Sequence, residues 1–255
     1  GETDWILSAV DAVETLNEQT FAELDRISRL PAYSMIYYPA RISMNLIKMQ
    51  LFAGKNHFYA SQGRPIANAF GDSVKQCIEE DKRLCQEFKE FRNGKWSGME
   101  LEKHVGFTKW NDDGWRYPVR NVVEPVTAPR MSVSRADSAM LATKNYGAPQ
   151  CIYVHDFLDQ GVEKVTLEFS NDGVGSLNYV VKGENGEIPA WLKVTPMEGV
   201  AETLSEVVLT CDRTEVEGTQ TARLLISDGD TVVAVEVKAA RADLTELPAN
   251  TFLPD

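Results

Sequence analysis

The sequence predicts an α+β chain of two domains, an N-terminal up-and-down bundle of three long helices followed by an immunoglobulin-like β-sandwich. Three observations carry this. Apolar residues recur at three- and four-residue spacing through roughly the first ninety positions. After Val126 they alternate with polar ones, and Asn-Gly, Asp-Gly and Glu-Gly pairs punctuate that second half. The 255 residues, 43% of them apolar, suffice for two ordinary cores. The domains are placed at 1–126 for the bundle, with an aromatic-rich connection over 93–126, at 127–242 for the sandwich, and at 243–255 for a tail or linker.

The first helix runs from Thr3 to about Arg29, with Trp5, Ile6, Ala9, Val10, Val13, Leu16, Leu24 and Ile27 as its apolar stripe and Asp11, Glu14, Glu18 and Asp25 mostly opposite. The second starts at Leu30-Pro31, where proline suits a first turn, and continues to about Ser61. It is apolar on two faces, which places it centrally, and Pro39 predicts a kink. Phe70, Val74, Cys77, Asp81, Leu84, Phe88 and Phe91 trace a near-heptad stripe on a third helix that Asn93-Gly94 ends. Short turns between three such helices make the bundle. In the second half, Val165, Leu167 and Phe169 alternate with Lys164, Thr166 and Glu168, and about eight such runs fit a sandwich.

A net charge of −12 without a Lys/Arg cluster excludes nucleic acid and anionic membrane surfaces as expected partners. No run of eighteen apolar residues is present to span a membrane. Four cysteines are too few for a disulfide scaffold. Cys77 and Cys85 fall roughly 12 Å apart along one helix, beyond bridging distance. Cys151 and Cys211 both lie in predicted strands, and a bridge between them stays open. The three histidines, His57, His104 and His155, have no ligand spacing, so neither metal nor other cofactor is expected. Asp112-Asp113 and Glu79-Glu80-Asp81 are carboxylate groups of the kind that point apart and stay solvated. An Asp228-Gly229-Asp230 turn lacks the further oxygen ligands of a calcium loop.

The stretch NGKWSGMELEKHVGFTKWNDDGWRYP, Asn93 to Pro118, holds three tryptophans in a glycine-punctuated connection. Trp96, His104, Trp110, Trp115 and Tyr117 set flat apolar faces beside hydrogen-bonding groups, the combination a sugar ring needs. Equally, two packed domains must bury aromatics where they join. Both readings stay open.

The run AYSMIYYPARISMNLIKMQLFAGKNHFYASQGR, Ala32 to Arg64, followed by NGKW at Asn93 and HVGFTKW at His104, resembles glycoside hydrolase family 115, the xylan α-1,2-glucuronidases. SNDGVGSLNY at Ser170 and WLKVTP at Trp191 extend the resemblance more loosely into the sandwich. It implies the portion downstream of a catalytic barrel, in a secreted or periplasmic hydrolase acting on plant-type glucuronoxylan. The barrel of the same polypeptide is then the expected partner, and homodimerisation through the bundle a further expectation. Inverting hydrolysis needs two carboxyls roughly 6.5 to 9.5 Å apart, which the family draws from the barrel, so no catalytic residue carries over. Ser97-Gly98 and Leu101-Glu102-Lys103 depart from the family pattern in a loop that would help to line the cleft. The competing reading is a stand-alone carbohydrate-binding or protein-interaction module.

Overall fold

A computed structural model of the chain describes residues 1–98, 105–106, 116–142, 151–201 and 203–242. It divides between Glu124 and Pro125 into two compact units, the first helical and the second a β-sandwich of two sheets.

In the helical unit, α1 (Glu2–Glu23) is followed by the short α2 (Arg26–Ala32), α3 (Tyr38–Ser61) and α4 (Ile66–Gly94). The sequence reading ran α1 on to Arg29 and began the next helix at Leu30; the break lies earlier. Leu24 takes an extended backbone and Asp25 caps α2, its carboxylate accepting from the Ile27 and Ser28 amides at 2.8 and 3.1 Å. Pro31 therefore sits inside α2, not at a helix start. Between α2 and α3 one π-helical turn, Tyr33–Tyr37, precedes Pro39. Pro39 has no N–H to donate back one helical turn, and the ladder widens just before it.

The turn points aromatic rings inward. Tyr33, Tyr37 and Tyr38 are buried with Leu84 and pack against Phe21, Phe88 and Phe91, with Phe21 and Tyr37 stacked at 3.9 Å and Tyr33 and Phe91 at 4.2 Å. Their hydroxyls donate to carboxylates, Tyr33 to Glu87 at 2.8 Å and Tyr37 to Glu18 at 2.7 Å. Arg41 lies against the Tyr37 ring and pairs with Glu87 at 3.0 Å and with Glu18 and Glu80 at 3.6 Å.

Charge also joins α1 to α3. Asp4 pairs with Lys55, Asp11 with Lys48, and Glu18 with Arg41, three rungs spaced seven residues apart on two antiparallel helices. Only Val10 of α1 is fully buried. The apolar stripe expected for this helix is covered along one flank only. Val10 is buried and Ile6 and Phe21 are half-buried, whereas Trp5, Val13 and Leu16, on the adjoining flank, are 71, 51 and 61% exposed.

Among its described residues the second unit has nine strands: β1 (Met131–Arg135), β2 (Cys151–Phe157), β3 (Lys164–Asn171), β4 (Leu177–Gly183), β5 (Leu192–Thr195), β6 (Glu198–Ala201), β7 (Leu204–Cys211), β8 (Thr219–Ser227) and β9 (Val232–Ala240). One sheet has the order β1-β3-β7-β5 and the other β2-β9-β8-β4-β6, antiparallel except for the parallel pair of β2 with β9. Alternating residues such as Val165, Leu167 and Phe169 meet Val207, Leu209, Leu224, Val235 and Val237 in one core, where Phe169 stacks on Tyr179 at 4.7 Å. Between β5 and β6 the chain passes from one sheet to the other over a cis Thr195–Pro196 bond. Cys151 and Cys211, on different sheets, are free thiols.

Two polar nodes close the sandwich. Asp172, with no exposure, accepts from the Ser132 and Ser170 hydroxyls at 2.5 and 3.0 Å. Next to it a Cβ on Gly173 would lie 1.7 Å from the Ala128 carbonyl oxygen, so only glycine fits. Arg213 donates to the carbonyls of Phe157, Asp159, Val162 and Ala240, gathering the ends of β2 and β9.

Replacing Phe169 with Ala should destabilise the sandwich by about 3–5 kcal/mol, read in urea unfolding by the fluorescence of buried Trp191. Burial and the Glu18 carboxylate push the Tyr37 hydroxyl up to about 12. Burial and Glu87 likewise raise that of Tyr33. A phenol ionises near ~10 in an unfolded chain, so these tyrosines favour folding below that pH and lose their contribution as pH rises toward the folded values. Helical ellipticity at 222 nm should therefore fall above pH ~10, and later in a Tyr37→Phe variant.

Candidate functional site

The aromatic connection begins where α4 ends. Phe91 leaves the helix with ψ 133°, and Arg92, Asn93 and Gly94 follow at φ 53°, 58° and 76°. Two non-glycine residues in the left-handed region cost on the order of 1 kcal/mol each. They are held by what flanks them: Phe91 stacks on Tyr33, and the Gly94 carbonyl accepts from the Ser97 amide at 3.0 Å. This reversal delivers Trp96 to the surface, 36% exposed, with the Lys95 ammonium 4.8 Å from the centre of its ring.

Tyr117, at the other end, turns inward. Its ring packs on a cluster of Met49, Val74, Cys77 and Val105, and its hydroxyl donates to Asp81 at 2.8 Å. Burial first, and the Asp81 carboxylate second, raise that hydroxyl above the ordinary tyrosine range. Asp81 is 1% exposed. The expectation that Glu79, Glu80 and Asp81 point apart and stay solvated holds for Glu79 and Glu80 and fails for Asp81, whose place on the Val74-Cys77-Leu84 stripe takes it inside. Gly106, at φ 70°, lies against the backbone of Arg116, and the Arg116 amide donates to the Val105 carbonyl at 3.3 Å.

The segment after Tyr117 is pinned by two asparagines. Asn56 on α3 accepts from the Asn121 amide at 2.8 Å and donates to the Asn121 carbonyl at 2.9 Å. Asn68 on α4 does the same for Val123, at 2.9 and 2.8 Å. Each side-chain amide thus imitates a neighbouring strand. Neither residue was singled out from the sequence; the available signal was an amide at position 56 on a helix otherwise apolar on two faces. His104, Trp110 and Trp115, and with them Asp112 and Asp113, lie outside the described residues. Of the candidate glycan-facing residues, then, Trp96 is placed at the surface and Tyr117 half-buried against the core. Among the described residues, no three His, Cys, Asp or Glu side chains converge as a metal site, and no helix is long and apolar enough to cross a membrane. Burial holds the Cys77 thiol up near 11, far from a reactive thiolate.

Residues 156–240, about a third of the chain, match the family model described as a viral BACON domain. No curated protein matches. Among solved structures, the Bacteroides ovatus GH5 xyloglucanase in complex with a XXXG heptasaccharide is similar over 44% of this chain and 20% of its own, at 13% identity and a TM-score of 0.27. The periplasmic chaperone SfaE is similar over 40% of this chain and 59% of its own, at 10% identity and 0.28. A FixG-related protein from Vibrio parahaemolyticus is similar over 47% and 98%, at 17% identity and 0.25. This chain therefore spans a fifth of the xyloglucanase and three fifths of SfaE. The likeness to a glycoside hydrolase is weak, and at these TM-scores none of the three carries an argument about function.

Truncating Asn56 to Ala removes its bonds to Asn121 together with the one it donates to the Ala67 carbonyl at 2.8 Å. A loss of about 2–3 kcal/mol is expected, with faster hydrogen exchange at the Asn121 amide than at other amides of the helical unit.

Proposed function

We propose that this chain is a non-catalytic part of a glycoside hydrolase of family 115, a xylan α-glucuronidase that releases glucuronic acid or its 4-O-methyl ether from glucuronoxylan. Its helical unit buttresses the catalytic barrel and offers a surface for dimerisation, in a secreted or periplasmic enzyme. The sandwich is of immunoglobulin-like type, for which the strand orders β1-β3-β7-β5 and β9-β8-β4 speak, since they repeat the A-B-E-D and G-F-C pairings of that fold.

The observation that carries the reading is the outer face of α1. Trp5, Val13 and Leu16 project together on the side away from α3, within about a quarter turn of one another on the helix. All three cationic rungs to α3 lie elsewhere on α1. Between Glu2 and Glu23 at its two ends this face is apolar, and such a face suits a protein surface better than water. The sequence resemblance supplies the barrel as its occupant. The Ala32–Arg64 run that carries the resemblance supplies Tyr33, Tyr37 and Tyr38 of the aromatic cluster and Asn56 of the backbone clamp. That run therefore builds a scaffold, and Trp96 is what the scaffold presents toward a cleft.

The size of the native polypeptide tests this. An immunoblot of source extract should show a band far above 28.5 kDa, in a fraction that releases uronic acid from glucuronoxylan. A native product of 28.5 kDa would sink the proposal. The isolated chain itself should release no uronic acid in a reducing-end assay.

A further inference from the structure

The outward face of the five-stranded sheet carries a second aromatic site, independent of the connection after α4. Tyr153, on edge strand β2, is 58% exposed and points away from the core between buried Ile152 and Val154. In the parallel pairing it lies beside Glu236 of β9, which lies beside Arg223 of β8. The next row along the same face is Cys151, Ala234 and Leu225. Small side chains at the first two positions, both half-buried, leave a low shelf beside the phenol ring.

The polar groups around the shelf are fixed and balanced. His155 meets Glu236 at 3.0 Å, and Lys238 meets the same carboxylate oxygen at 3.1 Å. Arg223 pairs with Glu184 at 3.3 Å. The His155 ring stands edge-on to Tyr153 at 5.6 Å. Behind the strand, Arg135 holds Asp156 through two bonds of 2.7 and 2.8 Å and donates to the Tyr153 carbonyl at 3.1 Å. The backbone that carries the ring is therefore clamped before any ligand arrives, which lowers the ordering cost of binding.

The geometry points to a binding site for an uncharged pyranose of a polysaccharide chain, one face of the sugar on Tyr153 and its hydroxyls toward Glu236 and His155. An aromatic ring beside fixed donors and acceptors matches a sugar's apolar face and polar edge. An anionic ligand would want surplus cation beside the ring, and here Lys238 and Arg223 already have the Glu236 and Glu184 carboxylates. A protein partner would want more apolar area than one ring and a shelf. This site goes beyond the proposed function, because it needs neither a barrel nor the α1 face.

Affinity electrophoresis of the whole chain through gels containing soluble neutral polysaccharides, namely arabinoxylan, hydroxyethyl cellulose or mixed-linkage β-glucan, tests it. At least one should retard the chain, Tyr153→Ala should weaken that binding roughly tenfold or more, and Tyr153→Trp should keep it. Glu236→Gln should weaken it less, and Trp96→Ala should leave it unchanged. Tyr153 is exposed, so a native circular dichroism spectrum is expected of the Ala variant. If none of the polysaccharides retards the chain, or retardation survives Tyr153→Ala, or it is lost in Trp96→Ala instead, the assignment is overturned. None of these outcomes bears on the native size that tests the barrel-supporting role.

Discussion

Pairing of opposite charge between α1 and α3 decides how the helical unit is assembled. Lys48 and Lys55, each less than one fifth exposed at the side chain, cannot lie against a helix without carboxylates to meet them. The acidic residues of α1 must therefore turn toward α3, and the rest of that helix follows as a rigid body. Ile6, Val10 and Phe21 come round to the interior, while Trp5, Val13 and Leu16 are carried to the outside. Arg41 extends the same logic to α4 through Glu80 and Glu87. Each rung alone adds little at a solvated surface. Their common spacing fixes orientation, and orientation settles which apolar face is left uncovered.

Much of this was legible in the sequence, and the parts that were not have physical reasons. Period-2 alternation around Val165, Leu167 and Phe169 reports a half-buried strand directly, because a pleated chain shows one face to the core. Helix existence was equally plain. The break at Leu24-Asp25 was overlooked because the apolar spacing runs on across it, whereas Asp25 acts through a cap that periodicity does not register. The outward Trp5 was misjudged for a related reason: apolar spacing names a face, not the neighbour of that face. The heptad spacing of Asp4, Asp11 and Glu18 against Arg41, Lys48 and Lys55 held the missing information. In the connection, composition grouped Trp96 with Tyr117, yet an aperiodic segment gives no direction to its side chains. Only Asp81, a carboxylate on an apolar stripe, hinted that Tyr117 would turn inward to meet it.

The sandwich solves a different problem. Its strands are short, and their ends would fray without partners for the terminal carbonyls. Arg213 gathers two of them, at the ends of β2 and β9, and two more from the Asp159–Val162 connection with one guanidinium, a planar donor suited to several acceptors at once. Asp172 does the converse at the end of β3, collecting hydroxyl donors. With both nodes on polar groups, the apolar residues of the two sheets are free to fill the space between them, and the solvent face of the five-stranded sheet can carry side chains such as Tyr153 that have no part in folding.

The asparagine clamp has a consequence for cleavage of the chain. Proteases bind their substrates as extended strands, through the main-chain N–H and C=O groups of alternate residues. At Asn121 and Val123 those groups are already occupied by Asn56 and Asn68. A stretch leading out of a folded unit is ordinarily where a protease cuts first. Here it would have to peel the segment off α3 and α4 before it could read it, so the two units are protected from being severed from each other at Asn121 to Val123.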